Sequence, residues 1–282
     1  MDLLLGFECL GCGRQHRPAQ AKYGCPACGA NLQASYDYAK AKRLFSRKRL
    51  AAEPRRDLWR YLPLLPVRDA GLARRVQVGW TPLYDAERLA RSLGLKRLLL
   101  KDDGRNASAS FKDRASAVVL AHAAQTRQKI VATASTGNAA SSLACLAPGS
   151  GLRSVIFVPK AAPAPKLAQL LVFGATVLAV DGTYDDAFEL CAKACERWGW
   201  YNRSTGLNPY TREGKKTCAF ELCEQLGWDV PDEVYVPVGD GNILSGLWKG
   251  FTELRLLELI DRLPRLVAVQ AQGSAAIARA VQ

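Results

Sequence analysis

Histidine is nearly missing from this 282-residue sequence: His16 and His122 are the two present. His122 falls in a stretch of helical periodicity with no Ser or Cys partner in a recognisable motif, which argues against a hydrolase triad. Long uncharged apolar runs are also missing, because Lys160 and Lys166 interrupt the most hydrophobic region before it reaches membrane-spanning length. The opening Met1-Asp2-Leu3-Leu4-Leu5-Gly6 has no positive n-region, so no secretory leader is expected. Nine cysteines show no disulfide framework, which points to a reducing, cytoplasmic compartment. There is no repeat of roughly 20 to 50 residues and no low-complexity tract.

Acidic residues are in deficit: 26 Asp and Glu face 39 Lys and Arg, a formal net charge of +13. The imbalance is local. Residues 40–75 hold twelve Lys or Arg against Glu53, Asp57 and Asp69, so this stretch carries +9 of the +13. That pattern predicts a solvated, partly helical connector. Aromatic side chains near it (Phe45, Trp59, Tyr61) are too sparse for a stacking platform, so at most weak, salt-sensitive binding to nucleic acid is expected. With 49% hydrophobic and 23% charged residues, the chain as a whole has the composition of a folded globular protein.

Residues 1–36 are dense in Cys, Gly and polar residues and too poor in apolar ones to build a core alone, so they must lean on something else. Residues 37–80 read as the basic connector, with apolar clusters at Leu58-Trp59 and Leu62–Leu65 that pack locally onto a larger body. From residue 81 to 282, β-rich runs at Arg97–Lys101, Ile130–Ala134, Ser154–Pro159, Thr176–Asp181, Val234–Gly239 and Leu266–Gln270 alternate with helical stretches. In Thr183–Trp198, Ala187, Leu190, Cys191 and Ala194 fall on one helical face. Apolar strands joined by helices imply an α/β fold with a parallel sheet covered on both faces. A (β/α)₈ barrel has the same rhythm, and the motifs must decide.

Cys9-Leu10-Gly11-Cys12-Gly13 and Cys25-Pro26-Ala27-Cys28-Gly29 form two C-x-x-C-G knuckles. Two thiolates two residues apart reach one tetrahedral ion, so Cys9, Cys12, Cys25 and Cys28 predict a structural zinc site whose four cysteines close the coordination shell. His16, between the knuckles, reads as an exposed residue. Cys145, Cys191, Cys195, Cys218 and Cys223 read as small buried residues.

Three further segments each pass from a strand through a loop of small residues into a helix. Lys101–Arg114 places Lys112 at a helix start, where the backbone dipole and Arg114 disfavour its charged form and favour the neutral amine needed for a Schiff base. Ala134-Ser135-Thr136-Gly137-Asn138 presents backbone N–H groups and short hydroxyls to a carboxylate. Val236-Pro237-Val238-Gly239-Asp240-Gly241-Asn242 makes a backbone nest for phosphate, with the Asp240 carboxylate turned away from the anion. It is neither a Walker A motif nor a dinucleotide fingerprint.

Together these segments resemble the fold type II pyridoxal-phosphate enzymes of the tryptophan synthase beta-like superfamily, and most closely the threonine synthase family. The resemblance extends to the zinc ribbon, Trp59-Arg60-Tyr61 with Leu65-Pro66, Gly79-Trp80-Thr81-Pro82-Leu83, Asn208-Pro209-Tyr210 and Glu213-Gly214-Lys215-Lys216-Thr217. It implies two three-layer α/β subdomains with parallel-rich sheets, the smaller at about residues 113–200, behind a small zinc ribbon. It further implies a lyase using pyridoxal 5′-phosphate in amino-acid metabolism, converting O-phospho-L-homoserine and water to L-threonine and phosphate. Lys112 would carry the cofactor and move protons. Phe111 would lie against the pyridine ring, Asn138 at its 3′-oxygen, and Gly239, Asp240, Gly241 and Asn242 at its phosphate. Ser135, Thr136 and Gly137 would bind the carboxylate of a small amino-acid substrate. A homodimer is compatible with this reading, and a membrane partner is not expected.

The chain departs from the family pattern where Asn-Pro-Thr-Gly-Ser-Phe-Lys becomes Asn106-Ala107-Ser108-Ala109-Ser110-Phe111-Lys112. It departs again at Ala139, Thr205, Gly206 and Thr211, positions at which the family grips the substrate phosphate. Arg203 and Arg212 are the expected substitutes, with Arg212 rotated by about 100° from the family position if the segment is helical. Relatives continue beyond the position of Gln282, with a Ser or Thr facing the pyridine nitrogen, so the catalytic region is expected to be incomplete at that end. A serine or threonine ammonia-lyase and a β-replacement enzyme stay open as alternatives within this chemistry. A zinc-ribbon binding protein on an inactive core is the alternative outside it.

Overall fold

The computed structural model describes residues 3–20 and 22–281, with nothing said of the Leu72 side chain. Strands β1 (Leu4–Cys9), β2 (Gln15–His16) and β3 (Leu32–Tyr36) form an antiparallel sheet in the order β2-β1-β3. As its composition requires, this ribbon borrows its core. Phe7 meets Tyr210 edge-on at 5.5 Å, and Tyr36 Oη donates to Glu213 Oε2 at 2.7 Å.

Helix α1 (Tyr38–Leu44) is capped by Asp37, and α2 (Arg47–Ala52) by Ser46. A 3₁₀ segment, Leu58–Leu64, then buries Leu58, Trp59, Tyr61 and Leu64. Most of the basic side chains here face water, but Arg60 is buried: its Nε donates to Glu224 Oε2 at 3.0 Å, and Tyr61 Oη donates to the same oxygen at 2.7 Å. The solvated reading of this stretch misses that residue.

Next come β4 (Leu83–Asp85), α3 (Glu87–Ser92) and β5 (Leu99–Lys101), with β4 and β5 antiparallel. Helix α4 (Lys112–Gln125), β6 (Ile130–Ala134), α5 (Asn138–Ser150), β7 (Arg153–Pro159), α6 (Ala164–Val172), β8 (Thr176–Val180), α7 (Tyr184–Trp198) and β9 (Tyr201–Asn202) follow. They form an all-parallel sheet in the order β8-β7-β6-β9. The period-two alternation of strand side chains decides its layers. Val155 and Phe157 point toward Ala187, Cys191 and Ala194 of α7, whereas Ile156 and Val158 point toward Ala140 and Ala144 of α5 and Leu170 of α6. Helices cover both faces, which is the three-layer arrangement and not a barrel. Leu190 is 46% exposed and stands off the buried face of α7 that the spacing predicts for it.

Helix α8 (Tyr210–Gln225), β10 (Glu233–Pro237), α9 (Asn242–Leu256), β11 (Arg265–Val269) and α10 (Ala276–Val281) complete the chain, with β10 and β11 parallel. Every residue of α8 from Tyr210 to Cys223 is buried. Close backbone approach to α4 explains one of its glycines: a Cβ at Gly214 would lie 2.0 Å from the Arg114 carbonyl oxygen. Among the described residues no helix is long and apolar enough to cross a membrane.

Candidate active site

Lys112 is the first residue of α4, and its backbone N–H donates to Ser110 Oγ at 3.1 Å. The first turn is closed by Asp113, which accepts from the Ser108 N–H at 2.7 Å and from the Ser108 hydroxyl. In the loop before it Ala109 adopts φ +55°, a left-handed conformation that glycine takes without strain, where the related family has Gly. Phe111 packs half-buried against the core.

Burial pushes the Lys112 ammonium below its ordinary pKa; Asp240 opposes the shift and Arg203 adds to it. The neighbouring cation is therefore Arg203 and not Arg114, as the sequence spacing suggests. Arg114 turns away into a closed network, with Nε 2.6 Å from Asp103 Oδ2 and Nη1 2.5 Å from Glu221 Oε1. Lys101 joins it at 2.9 Å from Glu221 Oε2.

The second segment lies beside the first. Ser116 and Ser142 each sit one helical turn past Lys112 and Asn138, and their hydroxyls are 2.7 Å apart, so the starts of α4 and α5 are neighbours. Ser135, Thr136 and Gly137 are half-buried there, Asn138 is exposed, and the Gly137 N–H donates to Ser135 Oγ at 3.2 Å.

The third segment opens α9. Gly241 takes φ +76°, a Cβ at Gly239 would meet nothing within 4 Å, and Asp240 Oδ1 accepts from the Asn242 N–H at 3.0 Å. The carboxylate thus sits on one of the amides of the nest. Asn242 is also held from outside the loop, since its Nδ2 donates to the Thr205 carbonyl at 3.2 Å and its side-chain oxygen accepts from Lys215 Nζ. Sequence reasoning gave Lys215 no role beyond its place in the Glu213–Thr217 segment, and it is fully buried. Burial pushes its ammonium well below the ordinary range, Arg203 and Lys112 adding and Asp240 opposing.

An open glycine cradle at a helix start, surrounding positive charge and a lysine whose pKa burial lowers suit one kind of ligand. It carries a phosphate monoester for the nest and an aldehyde for the amine. A concavity of about 460 Å³ opens between α9 and β11, lined by Leu244, Trp248 and Leu266, and Lys112 is not part of its wall.

In the ribbon, Cys9, Cys12, Cys25 and Cys28 hold their sulfurs within 4.8 Å of one another, with Cys9–Cys28 at 3.4 Å and Cys12–Cys25 at 3.8 Å. Tetrahedral zinc with Zn–S near 2.3 Å sets sulfurs about 3.8 Å apart, so this donor set fits the ion. The N–H groups of Gly11 and Cys12 both point at Cys9 Sγ at 3.3 Å. His16 is not simply exposed: its Nε2 lies 3.3 Å from Cys25 Sγ. Cys25→Ser is expected to lower the zinc content of the purified protein from one ion per chain toward zero, as measured by elemental analysis; unchanged zinc would contradict the assignment.

His122 stacks on Tyr210 at 3.7 Å, and its Nδ1 lies 2.7 Å from Tyr201 Oη. Burial lowers its pKa to about 4, with Lys22 adding. A folded-state pKa below the unfolded one gives stability that is present above about pH 6.5 and lost as pH falls through about 4, on the order of 3 kcal/mol in all. Denaturant titrations of wild type and His122→Phe between those limits are expected to show a shallower pH slope in the variant.

A family profile described as pyridoxal-phosphate dependent enzyme matches residues 75–282. The threonine synthase of Methanocaldococcus jannaschii is 38% identical over 276 residues, covering 97% of this chain and 67% of its own length. That of Methanosarcina acetivorans is 36% identical over 98% of this chain and 67% of its own. Among solved structures, a fungal L-serine ammonia-lyase from Rhizomucor miehei superposes with TM-score 0.63 at 26% identity, over 71% of this chain and 62% of the other. Threonine deaminase isoform 2 from Solanum lycopersicum, at 24% identity, does so with TM-score 0.63 over 78% and 57%. The profile spans Lys112, the Ser135–Gly137 turn and the Gly239–Asn242 loop alike, and with the two archaeal relatives it shows that this chain belongs to the pyridoxal-phosphate-dependent enzymes, in the threonine synthase family.

Proposed function

We propose that the chain forms the catalytic body of a lyase that converts O-phospho-L-homoserine and water to L-threonine and phosphate. The observation that carries this reading is Lys112, a half-buried amine whose pKa burial lowers, at the start of α4, in a sequence 38% identical to a threonine synthase over 97% of its length. Pyridoxal phosphate, when bound, supplies the electron sink that makes the protons next to the substrate amine acidic. The backbone of Gly239, Gly241 and Asn242 would hold its phosphate, Asp240 swinging off the Asn242 amide and remaining as a counter-charge to Lys112. Phe111 would pack against the ring and Asn138 would face its 3′-oxygen. Ser135, Thr136 and Gly137 would bind the substrate carboxylate at the start of α5. Lys112 Nζ, as the neutral amine, would take the proton from Cα and, as the ammonium, give it back.

Deamination of a hydroxy amino acid is the second reading, and one observation favours it. Thr211, where the related family has Arg, turns its hydroxyl to the Asn208 carbonyl at 2.8 Å and offers no cation to a substrate phosphate. Turnover of O-phosphohomoserine, serine, threonine and O-acetylserine by the zinc- and cofactor-loaded protein separates the two. Phosphate release from O-phosphohomoserine with formation of threonine is the expected result. Ammonia release from serine or threonine without phosphate release from O-phosphohomoserine would overturn it in favour of the second.

A further inference from the structure

The second cysteine knuckle has little of its own to hold it in shape. Among the described residues 22–31, Cys25 is the one buried residue, and regular backbone pairing is limited to a bridge between Gly24 and Asn31. Inside the knuckle the Cys25 N–H donates to the Ala30 carbonyl at 2.9 Å, and the Gly29 N–H to the Cys25 carbonyl at 2.8 Å. The Leu10 N–H reaches it from the first knuckle, at 2.9 Å from the Asn31 carbonyl. With so little apolar burial, the shape of residues 22–31 depends on what joins the four sulfurs.

Both flanks of this knuckle reach the segment between β9 and α8. Strand β9 is an edge of the sheet β8-β7-β6-β9. Its Arg203 N–H donates inward to the Ala132 carbonyl at 2.8 Å, so by the period of a strand the Asn202 N–H points to the open edge, where no strand receives it. Tyr23 receives it instead: its Oη accepts from the Asn202 N–H at 2.8 Å, and its ring meets that of Tyr201 edge-on at 6.1 Å. Asn202 then gathers the loop that follows, its carbonyl accepting from Asn208 Nδ2 and its side-chain oxygen from the Ser204 N–H, both at 2.8 Å. On the other flank, Asn31 and Leu32 line a narrow cleft with Thr205, Gly206, Asn208 and Asn242. The Thr205 carbonyl accepts from Asn242 Nδ2 at 3.2 Å, so the loop held by the knuckle holds the start of α9 in turn.

We propose that Tyr23 is a positioning residue for the Gly239–Asn242 loop, and that zinc on the four cysteines sets its place. A neighbouring strand at this edge would fix residues 201–208 through a backbone ladder whatever the state of the cysteines. A single phenol carried on a metal-held knuckle makes their order depend on the metal. Loss of zinc would leave the buried Asn202 N–H without its acceptor, release the Asn202–Asn208 loop and loosen Asn242, with no contact to Lys112 changed. The ribbon is then a zinc-dependent control on cofactor retention, and this inference rests on the reading of Gly239–Asn242 as the cofactor loop.

Tyr23→Phe keeps the ring against Tyr201 and removes only the acceptor, so the test is hydrogen–deuterium exchange of the zinc-loaded variant and wild type, with zinc content read in the same samples. Peptides covering 201–208 are expected to exchange about threefold to tenfold faster in the variant, with zinc unchanged and β7 at wild-type protection. Chelation of wild type is expected to speed the same peptides at least tenfold, and chelation of the variant to bring them to the same rate as chelated wild type. Pyridoxal phosphate is expected to bind Tyr23→Phe at least about threefold more weakly. Wild-type exchange at 201–208 in the zinc-loaded variant, an equal rise in β7, or unchanged cofactor affinity would each overturn the proposal. Borohydride labelling keeps the two readings apart: if Lys112 takes no pyridoxyl group while 201–208 responds as expected, the cofactor reading fails and the coupling of ribbon to loop stands, whereas label on Lys112 with wild-type exchange in the variant overturns the coupling alone.

Discussion

Lys112→Ala is expected to fold normally, to bind pyridoxal phosphate without a borohydride-reducible link, and to turn over substrate about 10³-fold more slowly than wild type. The size follows from removing the proton-transfer group, which contributes typically 10²- to 10⁴-fold. Little stability should be lost, because Lys112 is half-buried, makes no ion pair among the described residues, and holds its place through backbone and Ser110. Circular dichroism, the visible spectrum and turnover with exogenous amine separate these effects. Turnover within tenfold of wild type would remove Lys112 from the chemistry.

The largest stability loss is expected one helix away, at Glu221→Ala. Burial pushes Glu221 up, but Arg114 outweighs it and, with Lys101, holds the carboxyl below its ordinary range. Removing the carboxylate leaves the buried Arg114 and the largely buried Lys101 with, among the described residues, only Asp103 as an acidic neighbour, at a cost of about 3–5 kcal/mol. Domains of this kind have a total stability of about 5–15 kcal/mol, so a large part of the denaturant midpoint should disappear. The exposed pair Lys193–Glu189, one turn apart on α7, is the control: Glu189→Ala should change stability by less than about 0.5 kcal/mol. Equal effects at the two sites would contradict the account of α8.

That contrast marks where the sequence was readable. The strands from Ile130 to Val180 were legible because each is a short apolar run in a parallel sheet whose two faces are both covered. The cysteine knuckles were legible because two ligands two residues apart carry their geometry locally. Lys112 at a helix start was legible for the same reason, since loop and helix adjoin in sequence.

Helix α8 was not legible in this way. Nothing in its sequence marks Glu213, Lys215, Lys216 and Glu221 as buried, yet all are, and Arg212, expected at a substrate phosphate, is buried with them. Their partners Tyr36, Asp103, Arg114 and Lys249 are far away in sequence, and no local pattern announces them. Arg114 shows the converse error. Two residues from Lys112, it seemed bound to act on that amine, but α4 carries its side chain to Asp103 and Glu221, and the buried cation that acts there is Arg203. Proximity along a helix is a poor guide to which face a charge joins.

Burial lowers the pKa of Lys112, Lys215 and Lys216, and Lys112 lies close enough to Lys215 to add to its shift. Borohydride reduction of the cofactor-loaded protein, followed by peptide mapping, therefore tests the central claim most directly. The account predicts the pyridoxyl group on Lys112 and an unmodified Lys215; label on Lys215 or Lys101 with Lys112 unmodified would contradict it.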